Sequence, residues 1–219
     1  MNVRKSFDLE LKQLRDQLLN MAELAQKALD KAIYSLQHQD LQKAKQVLDE
    51  DNVINQMELD INNKAIAVMA KQAPVASDLR RIVVAIKISS DVERIGDLAV
   101  NIAKSTLRIG DQPLIKPIED IPKMMQFVQQ MLLDAVTAFY SEDVNFSKEI
   151  AAKDDTVDEM YGKIITELME LMAIRTSDVK QITELSFICR NIERVGDHIT
   201  NISENIIYLV TGHLYDLNH

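Results

Sequence analysis

The chain carries one segment twice. Residues 77–102 read SDLRRIVVAIKISSDVERIGDLAVNI, and residues 177–202 read SDVKQITELSFICRNIERVGDHITNI; the two align without a gap at an offset of 100 residues. The block Glu93-Arg94-x-Gly96-Asp97-x3-Asn101 returns as Glu193-Arg194-x-Gly196-Asp197-x3-Asn201. A repeat of this kind means two copies of one structural unit packed into one body. What recurs includes acids and an amide beside core-forming residues, so the repeat points at chemistry as well as packing.

The unit itself is helical. Only four prolines and five glycines punctuate 219 residues, and apolar residues recur at three- and four-residue spacing. Leu11, Leu14, Leu18, Met21, Ala25, Ala28 and Ala32 form one stripe; Leu41, Ala44, Val47, Ile54, Ile61, Ala65 and Val68 form a second. Pro74 breaks the chain, and Ser77 or a neighbour is expected to cap a third helix that runs to about Gly110. Pro113, Pro117 and Pro122 mark 111–122 as the linker between halves. Helical runs over about 122–141, 144–173 and 177–212 follow, with Ser177-Asp178 expected to repeat the cap. No alternating strand pattern of useful length occurs. The expected fold is all-α: two tandem, pseudo-symmetric antiparallel three-helix bundles, residues 1–110 and 111–219.

Composition narrows the partners. With 34 Asp and Glu against 25 Lys and Arg, the net charge is −9. That disfavours nucleic acid, whose phosphates demand a basic surface, and a polybasic membrane anchor. Apolar runs are short and interrupted by charge, so no membrane insertion is expected. The start, MNVRKSFDLELKQLRDQLL, lacks the apolar core of a secretory signal. One cysteine, Cys189, makes no intramolecular disulfide and fits a reducing cytoplasm. Proteins and cations remain as the expected partners.

The candidate chemistry lies on the third helix of each half. Glu93, Asp97 and Asn101 stand at i, i+4 and i+8, so they project from one face in adjacent turns, and Glu193, Asp197 and Asn201 do the same. Like charges at i, i+4 destabilise a helix by a few tenths of a kcal/mol unless something compensates them. Writing that penalty twice suggests a cation. The middle helices add Asp51, Asn55 and Glu58 in the first half and Asp154 and Asp158 in the second. Antiparallel packing sets the centre of each middle helix against the centre of its third helix. A site of carboxylates and amides is a hard-ligand site, able to bridge more than one ion: iron, manganese or magnesium by hardness, with zinc as a further option. Gly96 and Gly196, between the acids, leave room for an ion or a neighbouring helix.

Plainer readings stand beside these. Acids at i, i+4 are often a solvated face; Arg94 and Arg194 read as outer-face ion pairs; His198 reads as a surface histidine turned away from the acids; Cys189 reads as buried and inert. Two rival functions follow: a structural helical adaptor, and a carboxylate-bridged iron store or oxidase. The second class wants Glu-x-x-His on paired helices, and no Glu here has His three residues on. No nucleophile–base pair or phosphate loop is evident, so no enzyme activity is expected.

At these residues the chain resembles the PhoU family. The resemblance rests on the duplicated helix with Glu-Arg-Ile/Val-Gly-Asp, the middle-helix Asp-x3-Asn/Asp at Asp51–Asn55 and Asp154–Asp158, and Pro-x-Ala-Ser-Asp-Leu-Arg over 74–80. It spans essentially the whole chain. It implies two three-helix bundles, often dimeric, holding multinuclear metal clusters on their acidic faces, with iron first among the candidates. It also implies a negative regulator of phosphate uptake that connects the ATPase subunit of the phosphate ABC transporter with the phosphate-response sensor histidine kinase. The family's metal pattern falls on Asp51, Asn55, Glu93 and Asp97, and on Asp154, Asp158, Glu193 and Asp197. The halves differ: Asn55 stands opposite Asp158, and Tyr161 takes the place of Glu58.

Overall fold

In the computed structural model, which describes residues 3–217, the apolar stripes become helix faces. The outermost residues of the two expected halves, 1–2 and 218–219, lie outside the described residues. Helix α1 (Val3–His38) buries Leu14, Leu18, Met21, Ala25 and Ala32. It stops at Gln39, which takes a left-handed φ of 50°. Asp40 then caps α2 (Leu41–Gln72), its carboxylate accepting from the Lys43 amide at 2.9 Å. Ala73, also left-handed, and Pro74 end α2. Helix α3 (Ala76–Ile109) closes at Gly110, whose φ of 80° suits a residue without a side chain.

The second half repeats the plan with one break. Helix α4 (Asp120–Ser141) ends at left-handed Glu142, and Asp143 caps α5 (Val144–Ala151) through the amides of Asn145 and Phe146. The acidic cap of the middle helix is thus repeated too. The continuous helix expected over 144–173 is instead α5 and α6 (Asp154–Ile174). Between them the chain tightens, with the Lys153 amide donating to the Ile150 carbonyl, while Lys153 Nζ reaches Asp134 of α4 at 2.6 Å. Nothing in Ala151-Ala152-Lys153 signals this locally; the tie to α4 is long-range. A 3-10 turn (Thr176–Asp178) leads into α7 (Val179–Thr211), closed by Gly212 at φ 75°.

Neither serine acts as the expected cap. Val75 stands at the N-cap of α3 with no side-chain bond, and the Ser177 hydroxyl donates to Asp178 at 3.2 Å. Helix α3 starts at Ala76, ahead of Ser77, and α7 starts at Val179, behind a 3-10 turn that contains Ser177, because Pro74 and that turn already set the chain direction.

The fold is all-α, two antiparallel three-helix bundles joined through their third helices. The α3–α7 contact is the most extensive in the molecule, and α1 packs on α4 beside it. Asp91 meets Asn201, Arg108 meets Glu184, and Arg80 meets Gly212, all along one antiparallel register. That register sets Gly96 level with Gly196, so the internal pseudo-dyad passes between the two repeated motifs. Ile82, Ile95 and Ile102 of α3 and Ile182, Val195 and Ile202 of α7 lie in the shared core. Helix α2 packs on α3, and α5 and α6 pack on α7. Among the described residues no helix is long and apolar enough to cross a membrane.

Candidate metal centre

Each acidic face forms where a middle helix crosses the glycine of a third helix. In the first half, Asp51 Oδ1 lies 3.7 Å from the position a Cβ on residue 96 would take, with Ile54 Cδ1 at 3.1 Å. Gly96 therefore lets α2 bring Asp51 down beside Glu93 and Asp97. The Asn55 amide donates to Asp51 Oδ2 at 3.1 Å, and the Asn62 amide donates to Glu58 at 3.0 Å. Arg94, mostly exposed, bonds Asp97 at 2.9 Å and approaches Glu93 at 3.5 Å. It is the outer-face ion pair the sequence suggests, and it covers two of the candidate ligands.

In the second half the approach is closer. Asp154 Oδ1 lies 2.6 Å from the Cβ position of residue 196. Asp154 occupies the first turn of α6, so the break after α5 aims its carboxylate at α7. Asp158 follows one turn on, near Glu193 and Asp197.

Electrostatics show that the acids share their spaces. Burial raises Asp51 above the ordinary carboxylate value, and Asp97 adds to it; the Asn55 bond and Lys104 oppose this. Glu93 is raised by burial, then by Asp97, Glu58 and Asp51, against Arg94. Glu193 is raised by burial, Asp197 and Asp158, and Asp197 by burial and Asp158. Asp154 is pushed up to about 7 by burial and by Asp197, Asp158 and Glu193. The Thr200 hydroxyl pulls the other way, but no formed hydrogen bond reaches Asp154 Oδ1.

These features test the donor set for a cation. Asp51 Oδ1, Asn55 Oδ1 and Asp154 Oδ1 are buried acceptors without a hydrogen-bond donor. Buried polar atoms in native proteins nearly always find a partner. Acceptors only, hard oxygen donors and mutual repulsion fit a hard cation in both halves. Among the described residues, however, no three acid, histidine or cysteine side chains already converge into a closed cage.

Asn101 is exposed. Asn201 donates to Asp91 Oδ1 across the α3–α7 contact at 3.4 Å. His198 Nδ1 lies 3.0 Å from the same Asp91 oxygen, with both side chains largely buried, which corrects its reading as a surface histidine. The α3–α7 contact turns this side of α7 inward. Asp91, His198 and Thr200 were not singled out by the motif. Asp91 and His198 carry a signal nonetheless: they break the repeat, Asp91 against Asn191 and His198 against Leu98. Cys189 is buried, as expected.

Comparison with known proteins places this architecture. The family described as PhoU domain matches residues 18–106 and 121–206. A Clostridium acetobutylicum protein named phosphate-specific transport system accessory protein PhoU homolog is 37% identical over 216 residues, 98% of this chain and 99% of that protein. An Aquifex aeolicus protein of the same name is 38% identical over 96% of this chain and 95% of its own length. The crystal structure of the phosphate transport system regulatory protein PhoU from Streptococcus pneumoniae matches with a TM-score of 0.89 at 31% identity, covering 96% of this chain and 99% of that one. PhoU from Pseudomonas aeruginosa matches with a TM-score of 0.91 at 33% identity, covering 94% and 100%. The chain belongs to the PhoU family.

Proposed function

We propose that this protein is a cytoplasmic, non-catalytic regulator of phosphate uptake and phosphate-starvation signalling. It acts by contact with the ATPase subunit of a phosphate ABC transporter and with the sensor histidine kinase of the phosphate response, as a homodimer. Family membership over nearly the whole chain supports the phosphate-transport setting, since the relatives bear names of phosphate-transport accessory proteins. The observation that carries the mechanism is the duplicated acidic face with buried acceptors that lack donors.

On this reading Asp51, Asn55, Glu93 and Asp97 hold metal in the first half, and Asp154, Asp158, Glu193 and Asp197 hold it in the second. Iron is the first candidate, with manganese, magnesium and zinc as competitors. A bound cation would neutralise the repulsion among these acids and tie each middle helix to its third helix. Arg94 would then exchange its acidic partners for other contacts on the face presented to a partner protein. The partner surface and the metal face are thereby one region of the molecule.

The deciding experiment is a phosphate-starvation reporter, such as alkaline phosphatase, in cells lacking the gene and grown in high phosphate. Derepression that the intact protein reverses is the expected result. A reporter that stays silent, with no second family member in the cell, would overturn the regulatory role.

A further inference from the structure

The two acidic faces are copies in sequence and differ in how their acids are already satisfied. In the first half the Asn55 amide donates to Asp51 at 3.1 Å, and Arg94 bonds Asp97 at 2.9 Å and approaches Glu93 at 3.5 Å. In the second half Asp158 takes the place of Asn55 and brings no donor. Arg194 favours the charged forms of Glu193 and Asp197 from a distance, yet among the described residues no base comes within ion-pair range of Asp154, Asp158, Glu193 or Asp197. The first face carries its own cation, and the second does not.

Thr200 is a further difference. Its counterpart on α3 is Val100. Thr200 is wholly buried, and its Oγ1 has no hydrogen-bond partner. A helical threonine commonly gives its hydroxyl to the carbonyl four residues back. Thr106, Thr137, Thr166, Thr183 and Thr211 all do so, at 2.8–3.2 Å. Thr200 forms no such bond to Gly196. Its hydroxyl acts instead on Asp154, the carboxylate that fills the space beside Gly196. Gly196 lies one turn before Thr200 on the same side of α7. A buried hydroxyl and the buried Asp154 Oδ1, neither with a formed bond, therefore share one space between α6 and α7.

We propose that the two faces bind cations in order, the second before the first, and that Thr200 is the positioning residue behind this order, donating its hydroxyl to Asp154 when that carboxylate takes the ion. The inference rests on the metal reading of the proposed function. The second face has four acids and no internal cation, so an ion relieves all of their repulsion. On the first face an ion must displace Arg94 from Asp97 and Glu93, and Val100 offers Asp51 no donor.

The test is anaerobic calorimetric titration of the full chain with iron(II) and, in parallel, with manganese(II). Wild type should show a tight step and a weaker one. Asp197→Ala should remove the tight step, and Asp97→Ala the weak one. Thr200→Val should weaken the tight step about tenfold to a hundredfold, the loss expected when the hydrogen-bond partner behind a metal ligand is removed. Thr200→Ser should keep it, and Arg94→Gln should tighten the weak step. Valine matches threonine in shape and removes a hydroxyl that bonds nothing in the metal-free protein, so metal-free Thr200→Val should melt no lower than wild type. A merely structural threonine would give the reverse: a lower melting temperature and an unchanged affinity. No saturable binding of either metal to wild type would overturn the metal reading and the order together. Saturable binding in equal steps, or a tight step that survives Asp197→Ala or is untouched by Thr200→Val, would overturn the order alone.

Discussion

Asp154 Oδ1 stands 2.6 Å from the place a Cβ on Gly196 would fill. The glycine between the repeated acids is thus a space left for a carboxylate from the neighbouring helix. Gly196→Ala should turn Asp154 out of its position rather than break the bundle. The gain in helix propensity and the local crowding oppose each other, leaving stability within about 1 kcal/mol. Metal binding by the second half should weaken. Gly96→Ala should do less, because the nearest atom there is the end of the Ile54 side chain at 3.1 Å. Metal titration beside chemical denaturation of both variants checks the difference.

The crowded acids make stability depend on pH. Asp154 holds its proton up to about 7 in the folded chain against an ordinary value of 3.8. Between those values the folded state binds more protons than the unfolded state, so its contribution is fully present below about pH 4 and lost as pH rises through about 7. Asp51, Glu93, Glu193 and Asp197 are raised too and act in the same direction. Metal-free protein should unfold at lower urea near pH 7.5 than near pH 5, and Asp154→Asn should flatten that slope. A rising or level profile in the metal-free protein would contradict the shared-acid picture.

Removing one acid from each face tests the metal assignment. Asp97→Ala combined with Asp197→Ala should lower bound metal sharply while the far-ultraviolet circular dichroism stays helical. Full metal occupancy by elemental analysis of the double variant would refute the sites.

Asp91 and His198 couple the two halves at 3.0 Å. A double-mutant cycle with Asp91→Asn and His198→Gln should give a coupling of about 0.5–3 kcal/mol, the range for residues in one hydrogen-bonded network. Additive losses would mean that the contact contributes nothing of its own.

Cys189 is fully buried on α7, and burial pushes its thiol up to about 12. A thiol reagent should label it only in step with unfolding, because the thiolate is the reactive form. Rapid labelling of native protein would show that α7 opens locally.

Much of this was legible from local pattern. Leu14, Leu18, Met21 and Ala25 lie at helical spacing and are buried together, because one face of a helix faces the core whatever the partner. Gly110 and Gly212 end α3 and α7 as expected, since a left-handed closing residue favours glycine. The pairing of Asp51 with the region of Asp97, and of Asp154 with that of Asp197, follows from antiparallel helices of matched length. The break at 152–153 was not legible, because it depends on Lys153 meeting Asp134, nineteen residues away on another helix. The serines misled for a related reason: a cap is selected by where the turn places the chain, and Pro74 and the 3-10 turn had already done so.

Helical spacing and local repetition are properties of short stretches, so the chain by itself dictates helices, two like halves and acids gathered on one face of each. Contacts between α3 and α7 join residues about a hundred positions apart, and no local spacing encodes them. Packing of the shared apolar core chose the antiparallel register, and that register brought His198 and Asn201 to Asp91 and Arg80 to Gly212. The acids were written in the sequence; which of their oxygens became buried without a donor was settled by how closely α2 and α6 could approach the two glycines.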